Sequence, residues 1–284
     1  MATHVLEDVA LHYELTGHGP PLVLINALTM EASGWRSQTK AFASRYRVLT
    51  YDCRGQGRSA KPDQDYRIEQ HADDLHRLVI GLGLPRLHVV GLSLGAMVAQ
   101  AFALKYPAQT GALVLCSAVS HLSAELQQFL TTWVRTLGEA GGAQAFHGAE
   151  PLLFSRGYAD THPGVVKGLR AAVDRQPVGA LRHLALGAMN HDLEGRLDSI
   201  RTPTLVVVGE EDRLTPIRDA RRLVDLIPGA TLKVLPACGH VCPLERPVVF
   251  NDAVLQFVRS HDALLGLKMV APGGHPSGAS RLKS

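Results

Sequence analysis

The strongest chemical signal in the chain is Gly91-Leu92-Ser93-Leu94-Gly95. These residues follow a strand-like run, Leu87-His88-Val89-Val90, and open a helix-like run from Ala96 to Tyr106 that stops at Pro107. A serine with glycine two positions away on either side, between strand and helix, reads as a sharp elbow with its hydroxyl at the apex. Larger side chains at the glycine positions would collide. The fresh helix start has free N–H groups that can stabilise an oxyanion, and Leu94 gives one of them. A neutral serine hydroxyl is a poor nucleophile and needs a base within reach. Among 14 histidines the candidate is His240, in Ala237-Cys238-Gly239-His240-Val241, just after the apolar run Leu232 to Leu235. Loops at the carboxyl ends of parallel strands are where such sheets put function. An acid must then fix the imidazole tautomer and stabilise the imidazolium. Gly209-Glu210-Glu211-Asp212-Arg213-Leu214-Thr215-Pro216 offers Asp212, with Glu210 and Glu211 as chemical rivals.

The surrounding elements must bring these positions together. Val9 to Glu14 alternates like an exposed strand, and Gly17-His18-Gly19-Pro20-Pro21 reads as a turn. Leu22 to Ile25, Arg47 to Tyr51, Leu87 to Val90, Gly111 to Cys116, Thr204 to Val208 and Thr231 to Leu235 read as buried parallel strands. Helical stretches lie between them: Ser37 to Ser44, Ile68 to Leu82, Ala96 to Tyr106, Ile217 to Leu226 and Val248 to His261. Alternating strand and helix predict an α/β fold with a mostly parallel central sheet flanked by helices. The rhythm breaks between Val119 and Leu197, where every apolar run is helical: Leu126 to Ala140, Gly142 to Leu153, Val165 to Ala172 and Val178 to Ala188. This stretch is expected to be a helical cap over the active face. The expected organisation is a core of 1–118 and 198–262, a cap of 119–197 and a flexible C-terminal tail of 263–284, rich in Gly and Pro.

Composition narrows the partners. The chain has 284 residues, is 46% hydrophobic and carries a net charge of +3, too mild to argue for nucleic acid or an anionic membrane. Met1 to Asp8 has no apolar signal region, and no apolar run reaches membrane-span length. Cytoplasm is the default expectation, and Cys53, Cys116, Cys238 and Cys242 need not pair. Cys238, His240 and Cys242 lack the spacing of a structural metal site, and no second Cys/His pair follows. Asp52 and Arg54 read as the struts of a tight turn through Gly55 and Gly57. Asp73 and Asp74, beside His71 on a helix, read as acids complementing its dipole.

From about Val5 to Asp262 the chain resembles the α/β-hydrolase superfamily, and within it the 3-oxoadipate enol-lactonase group. Asn26-Ala27-Leu28 with Ser33-Gly34-Trp35 is similar to that group's N-S-L and S-x-W. Tyr51-Asp52-Cys53-Arg54-Gly55-Gln56-Gly57-Arg58-Ser59 is similar to Y-D-x-R-G-H-G-x-S, with Gln56 where His is usual. Gly91 to Val98 is similar to G-L-S-M-G-G-M-V, with Ala96 where Gly is usual. The resemblance implies a Ser93, Asp212 and His240 triad, in the order the superfamily requires. It places the second oxyanion N–H at Leu28, opposite that of Leu94. It implies a cofactor-independent enzyme without metal, acting on a small-molecule ester, lactone or thioester. An enol-lactonase is the first specific expectation. An acyltransferase, a thioesterase or cyclase, and a non-catalytic binding module are the alternatives. An enol-lactone carries a carboxylate, so one of Arg135, Arg156, Arg170, Arg175 or Arg182 is expected to face the pocket.

Overall fold

The sheet has eight strands in the order β1-β2-β4-β3-β5-β6-β7-β8. The computed structural model describes residues 2–266. The strands are β1 Ala2–Val5, β2 Ala10–Thr16, β3 Pro21–Ile25, β4 Arg47–Tyr51, β5 Leu87–Leu92, β6 Thr110–Cys116, β7 Thr204–Gly209 and β8 Thr231–Leu235. β1 with β2 and β2 with β4 pair antiparallel; the remaining pairs are parallel. The helices are α1 Arg36–Phe42, α2 Ile68–Gly81, α3 Leu94–Lys105, α4 Ala124–Leu153, α5 Tyr158–Thr161, α6 Pro163–Asp174, α7 Val178–Met189, α8 Ile217–Leu226, α9 Cys242–Glu245 and α10 Pro247–Arg259.

β3, β5, β6 and β7 are buried along their whole length, which is why they read as continuous apolar runs. Alternation then assigns their faces. Val23 and Ile25 join the core with Leu75 of α2, Phe102 of α3 and Leu223 of α8. Leu22 and Leu24 join the opposite core with Phe42 of α1 and Val254 of α10. α3 is buried from Leu94 to Ala103, and its small alanines let it lie close against β5 and α2.

The break in rhythm corresponds to α4 through α7, between β6 and β7. Ser123 caps α4 by accepting from the Leu126 N–H at 3.2 Å. Gly141, at φ 79 and ψ 177, interrupts α4 between the two runs read from the sequence. The two ends of the insertion meet in a short antiparallel bridge, His121 with Asp192, and the Leu193 N–H donates to Ser120 O at 3.0 Å. Past α10, Asp262–Leu265 forms one 3₁₀ turn and Leu265 is buried. The packed chain therefore runs beyond Ala263, where the tail was expected to begin. The rest of that expectation, 267–284, lies outside the described residues. No described helix is long and apolar enough to cross a membrane.

Arg54 ties this core together. It is fully buried and grips Asp74 of α2 through Nε and Nη2, both at 2.9 Å, while Nη2 also reaches Asp8 at 2.8 Å. Arg77 completes the cluster, with Asp74 at 2.8 Å and Asp8 at 3.0 Å. The Arg54 hydrogen bond holds the Asp8 carboxyl below its ordinary range. Two expectations change here. Arg54 does not brace its own turn; it reaches away to α2. Asp74 serves that ion cluster, and Asp73 binds Lys105 and the Tyr106 hydroxyl, so neither is a dipole acid at the helix start.

His71 sits beside this cluster, buried, with neither ring nitrogen partnered among the described residues. Burial, and then the Arg54 charge, hold its pKa down to about 3, against an ordinary 6.5. The unfolded chain therefore binds the extra proton first. Stability present above pH 6.5 is lost as pH falls from there toward 3. Between pH 6.5 and 5 the loss is about 2 kcal/mol at one pKa unit per 1.36 kcal/mol. In His71→Leu, the fall in thermal midpoint between pH 7 and pH 5 should be visibly shallower than in wild type. Parallel curves for the two proteins would contradict this account.

Candidate active site

Parallel pairing aligns the carboxyl ends of the central strands: Ile25 opposite Gly91, Leu92 opposite Cys116, Cys116 opposite Val207 and Gly209 opposite Leu235. Ser93 follows β5, Asp212 follows β7 and His240 follows β8. One edge of the sheet thus carries all three residues read from the sequence.

The elbow has the strained backbone expected of it. Ser93 has φ 55 and ψ −115, a region side chains avoid. Its N–H donates to Cys116 O at 2.9 Å, and its carbonyl accepts from Ala96 N at 2.8 Å. The glycines are sterically required. A Cβ on Gly91 would lie 2.2 Å from the Gly95 carbonyl oxygen, and one on Gly95 would lie 2.2 Å from the Ile25 carbonyl oxygen.

Ser93 Oγ lies 2.9 Å from His240 Nε2. His240 Nδ1 lies 3.0 Å from Asp212 Oδ2 and 3.1 Å from Oδ1. Both partners of this pair are buried. A carboxylate only accepts, so the proton between them belongs to Nδ1, and Nε2 presents its lone pair to the serine hydroxyl. Asp212 is held in turn: Oδ1 accepts from Leu214 N at 3.0 Å and Thr215 N at 2.8 Å, and Oδ2 from Thr215 Oγ1 at 2.8 Å. Thr215 is a partner of Asp212 that the sequence motifs did not single out. Its signal was the spacing Asp-x-x-Thr, which lets an aspartate fold back onto the following N–H groups. The rivals lie elsewhere. Glu210 accepts from Ala237 N at 3.2 Å and Glu211 from Arg156 N at 2.8 Å. The His240 backbone is fixed as well, its N–H on Leu153 O at 2.9 Å and its carbonyl accepting from Ser117 Oγ at 2.7 Å.

Cys238 and Cys242 are buried and turn their sulfurs to the Gly239 carbonyl, while the two nitrogens of His240 meet Asp212 and Ser93. The hydrogen bond to Cys242, then burial, pushes the Cys238 thiol up.

The loop after β3 faces Ser93 across a cavity of about 290 Å³, with Leu28 and Leu94 both in its wall. Neither N–H has a partner among the described residues. Gln56, fully buried, sets this loop. Its Nε2 donates to Ala27 O at 2.8 Å and Leu28 O at 3.2 Å. Its Oε1 accepts from Asn26 Nδ2 at 3.1 Å and Cys53 N at 3.2 Å. Asp52 braces the neighbouring turn, accepting from Ala32 N at 2.8 Å and Arg58 N at 2.9 Å. Gln56 thus holds the Ala27 and Leu28 carbonyls, and both residues line the cavity.

Much of the wall is apolar, with Phe129, Trp133 and Phe146 from α4, Leu169 from α6, and Met97 from α3; Thr29, Ser33, Thr215 and Gln176 add uncharged polar groups. The expected arginine is not there. Among the described residues the wall holds no arginine or lysine, and Glu31 is its carboxylate. Arg170 pairs with Glu150 at 2.9 Å, and Arg135, Arg156, Arg175 and Arg182 are exposed.

Comparison with known proteins agrees with this architecture. The alpha/beta hydrolase fold family matches residues 20–247, and the chain belongs to that family. It is 29% identical over 255 residues to 3-oxoadipate enol-lactonase 2 of Acinetobacter baylyi, covering 89% of this chain and 94% of that one. It is 33% identical over 255 residues to the putative carbamate hydrolase RutD of Variovorax paradoxus, covering 87% and 96%. The crystal structure of the enol-lactonase from Burkholderia xenovorans superposes with a TM-score of 0.86 at 25% identity, covering 91% of this chain and all of that one. The resemblance to enol-lactonases read from the motifs therefore holds, and the chain is a hydrolase of this fold.

Gln56→Leu removes the bonds that set the Leu28 loop while keeping a side chain of similar size. It should lower kcat roughly tenfold or more with little change in KM, the pattern expected of a loop that presents a donor to a transition state. Equal loss in KM alone would assign Gln56 to substrate binding instead.

Proposed function

We propose that this chain is a serine hydrolase in which Ser93, His240 and Asp212 act as the triad. The observation that carries the reading is the unbroken line from Ser93 Oγ through His240 Nε2 at 2.9 Å to Asp212 at 3.0 Å. Ser93 Oγ attacks the substrate carbonyl carbon as His240 Nε2 takes its proton. The carbonyl oxygen becomes an oxyanion between the N–H groups of Leu28 and Leu94. The imidazolium, stabilised by Asp212, returns the proton to the leaving oxygen, sulfur or nitrogen, and an acyl-enzyme remains. Water, deprotonated by His240, then attacks that ester and releases the acid and free Ser93. In this reading, 119–197 is the cap, since its helices roof the cavity over Ser93.

The wall selects among substrates. A free carboxylate would meet no cation and would face Glu31. An enol-lactone of the kind named for the relatives is therefore a poorer match than a neutral lactone, ester or thioester with an apolar acyl group. The carbamate-hydrolase name of another relative fits the same wall without lysine or arginine, and its scissile bond is open to the same attack.

Two measurements test this. A fluorophosphonate should add its phosphonyl mass to wild type and leave Ser93→Ala unmodified although folded. No label on folded wild type would overturn the nucleophile. Among lactones and esters of matched length, a neutral acyl group should give a kcat/KM at least tenfold above its ω-carboxylate analogue. The opposite ranking would restore a carboxylate-bearing substrate. Adding alcohol or amine acceptors to the same assay separates hydrolysis from acyl transfer.

A further inference from the structure

Among the described residues, three that are not glycine hold a positive φ: Ser93 at 55, Ser117 at 50 and Ala237 at 48. Such backbone costs free energy and persists only where the surroundings enforce it. All three lie at the carboxyl edge of the sheet, just past β5, β6 and β8. Ser93 is the elbow, and Ala237 opens the loop that carries His240. Ser117 belongs to neither loop. It is fully buried, and its N–H continues the sheet by donating to Val207 O at 2.9 Å. Glycine would hold that turn without strain. The reason for a serine there lies in its side chain.

Ser117 Oγ donates to the His240 carbonyl at 2.7 Å. The sulfurs of Cys116 and Cys242, both at 3.9 Å, are weaker and more distant partners. The residue before Ser117 makes a second tie, since Cys116 O accepts the Ser93 N–H at 2.9 Å. Two consecutive residues at the end of β6 thus hold the backbone of the proposed nucleophile and of the proposed base. The sheet order shows what this tie has to do. β8 lies three places from β5, roughly 14 Å at the usual strand spacing. The loop after β8 must fold back across the ends of β7 and β6 to bring His240 Nε2 within 2.9 Å of Ser93 Oγ. Asp212, after β7, holds the ring of His240, and Ser117, after β6, holds its backbone.

We propose that Ser117 is a positioning residue for the reaction, its hydroxyl fixing the His240 backbone at the distance from Ser93 that proton transfer requires. The strained turn is kept because it carries that hydroxyl. The inference rests on Ser93 as nucleophile and His240 as base. Ser117 does not line the cavity, so its effect is on alignment and not on substrate contact. A base held slightly out of place slows the attack while leaving substrate binding as it was.

The test compares wild type, Ser117→Ala and Ser117→Gly as full chains, with a neutral aryl ester as substrate and a fluorophosphonate as probe. Neither variant keeps the hydroxyl. Alanine keeps the strain at this backbone and glycine relieves it. Both should lower kcat about ten- to hundredfold with little change in KM, the cost of a misaligned base. The second-order rate of fluorophosphonate labelling should fall by a similar factor, although labelling still reaches completion. Ser117→Gly should melt at or above Ser117→Ala and be no faster. Folded variants with kcat and labelling rates close to wild type would overturn the proposal and leave the nucleophile standing. So would a loss confined to KM, which would mark a role in binding. Rates that follow the melting temperature and recover in Ser117→Gly would also overturn it, since they mark a role in the fold alone. Folded wild type that is neither active nor labelled would sink the Ser93 reading and this proposal with it.

Discussion

The backbone of Ser93 cannot rest where it does without help. A non-glycine residue at φ 55 and ψ −115 carries strain of about 1–3 kcal/mol. The surroundings leave it no alternative. Its N–H is fixed on Cys116 of the neighbouring strand, and its carbonyl already belongs to the first turn of α3. Gly91 and Gly95 allow α3 to start against the ends of β5 and β3, closer than any Cβ would permit. Relaxing Ser93 would require pulling α3 off the sheet, and α3 is buried along nearly its whole length. The strain at one residue is thus held by the burial of a helix, and the hydroxyl stays presented.

The three candidate site residues were legible because each follows a strand buried enough to read as an apolar run, or lies in a loop marked by glycine. The buried strands and α8 were legible for the same reason, since period and burial coincide there. β1 was missed: Ala2–Val5 is an edge strand, mostly exposed, with no alternation to betray it. Arg54 was misassigned because its partner Asp74 lies on another element, and sequence distance does not report a buried ion pair. The same limit explains the arginine expected in the pocket. Helical periodicity says which face of a helix is apolar, and the polar faces of the insertion turn to solvent, where Arg135, Arg175 and Arg182 lie. The faces of α4 and α6 that line the cavity are the apolar ones, with Phe129, Trp133, Phe146 and Leu169.

The insertion also shapes the site from below. The His240 N–H is bound by Leu153, at the end of α4. One residue earlier, Gly239 donates its N–H to Glu245 Oε1 at 3.1 Å, and the Glu245 carboxylate also accepts from the Ser155 N–H and hydroxyl. Burial pushes the Glu245 carboxyl up, and these hydrogen bonds oppose that push. The loop that carries the proposed base is therefore clamped between β6, through Ser117, and the end of α4. Gln176 makes a corresponding tie from the turn between α6 and α7 to the loop after β3. The helices that line the cavity and the loops that carry Leu28 and His240 share hydrogen bonds, so changes in the insertion will be felt at both loops.

Gln56 shows why a departure from the family pattern need not weaken the site. An imidazole has two ring nitrogens and changes charge near neutral pH. The Gln56 amide carries two donor hydrogens and a two-lone-pair oxygen, and its contacts use both ends: Ala27 O and Leu28 O on the nitrogen, Asn26 Nδ2 and Cys53 N on the oxygen. A histidine could not meet that set without leaving a partner buried and unpaired, and its protonation would put a charge behind the loop. The glutamine joins the strand-end loops after β3 and β4 with a neutral group at every pH. The placement of the Leu28 loop is then independent of titration at position 56.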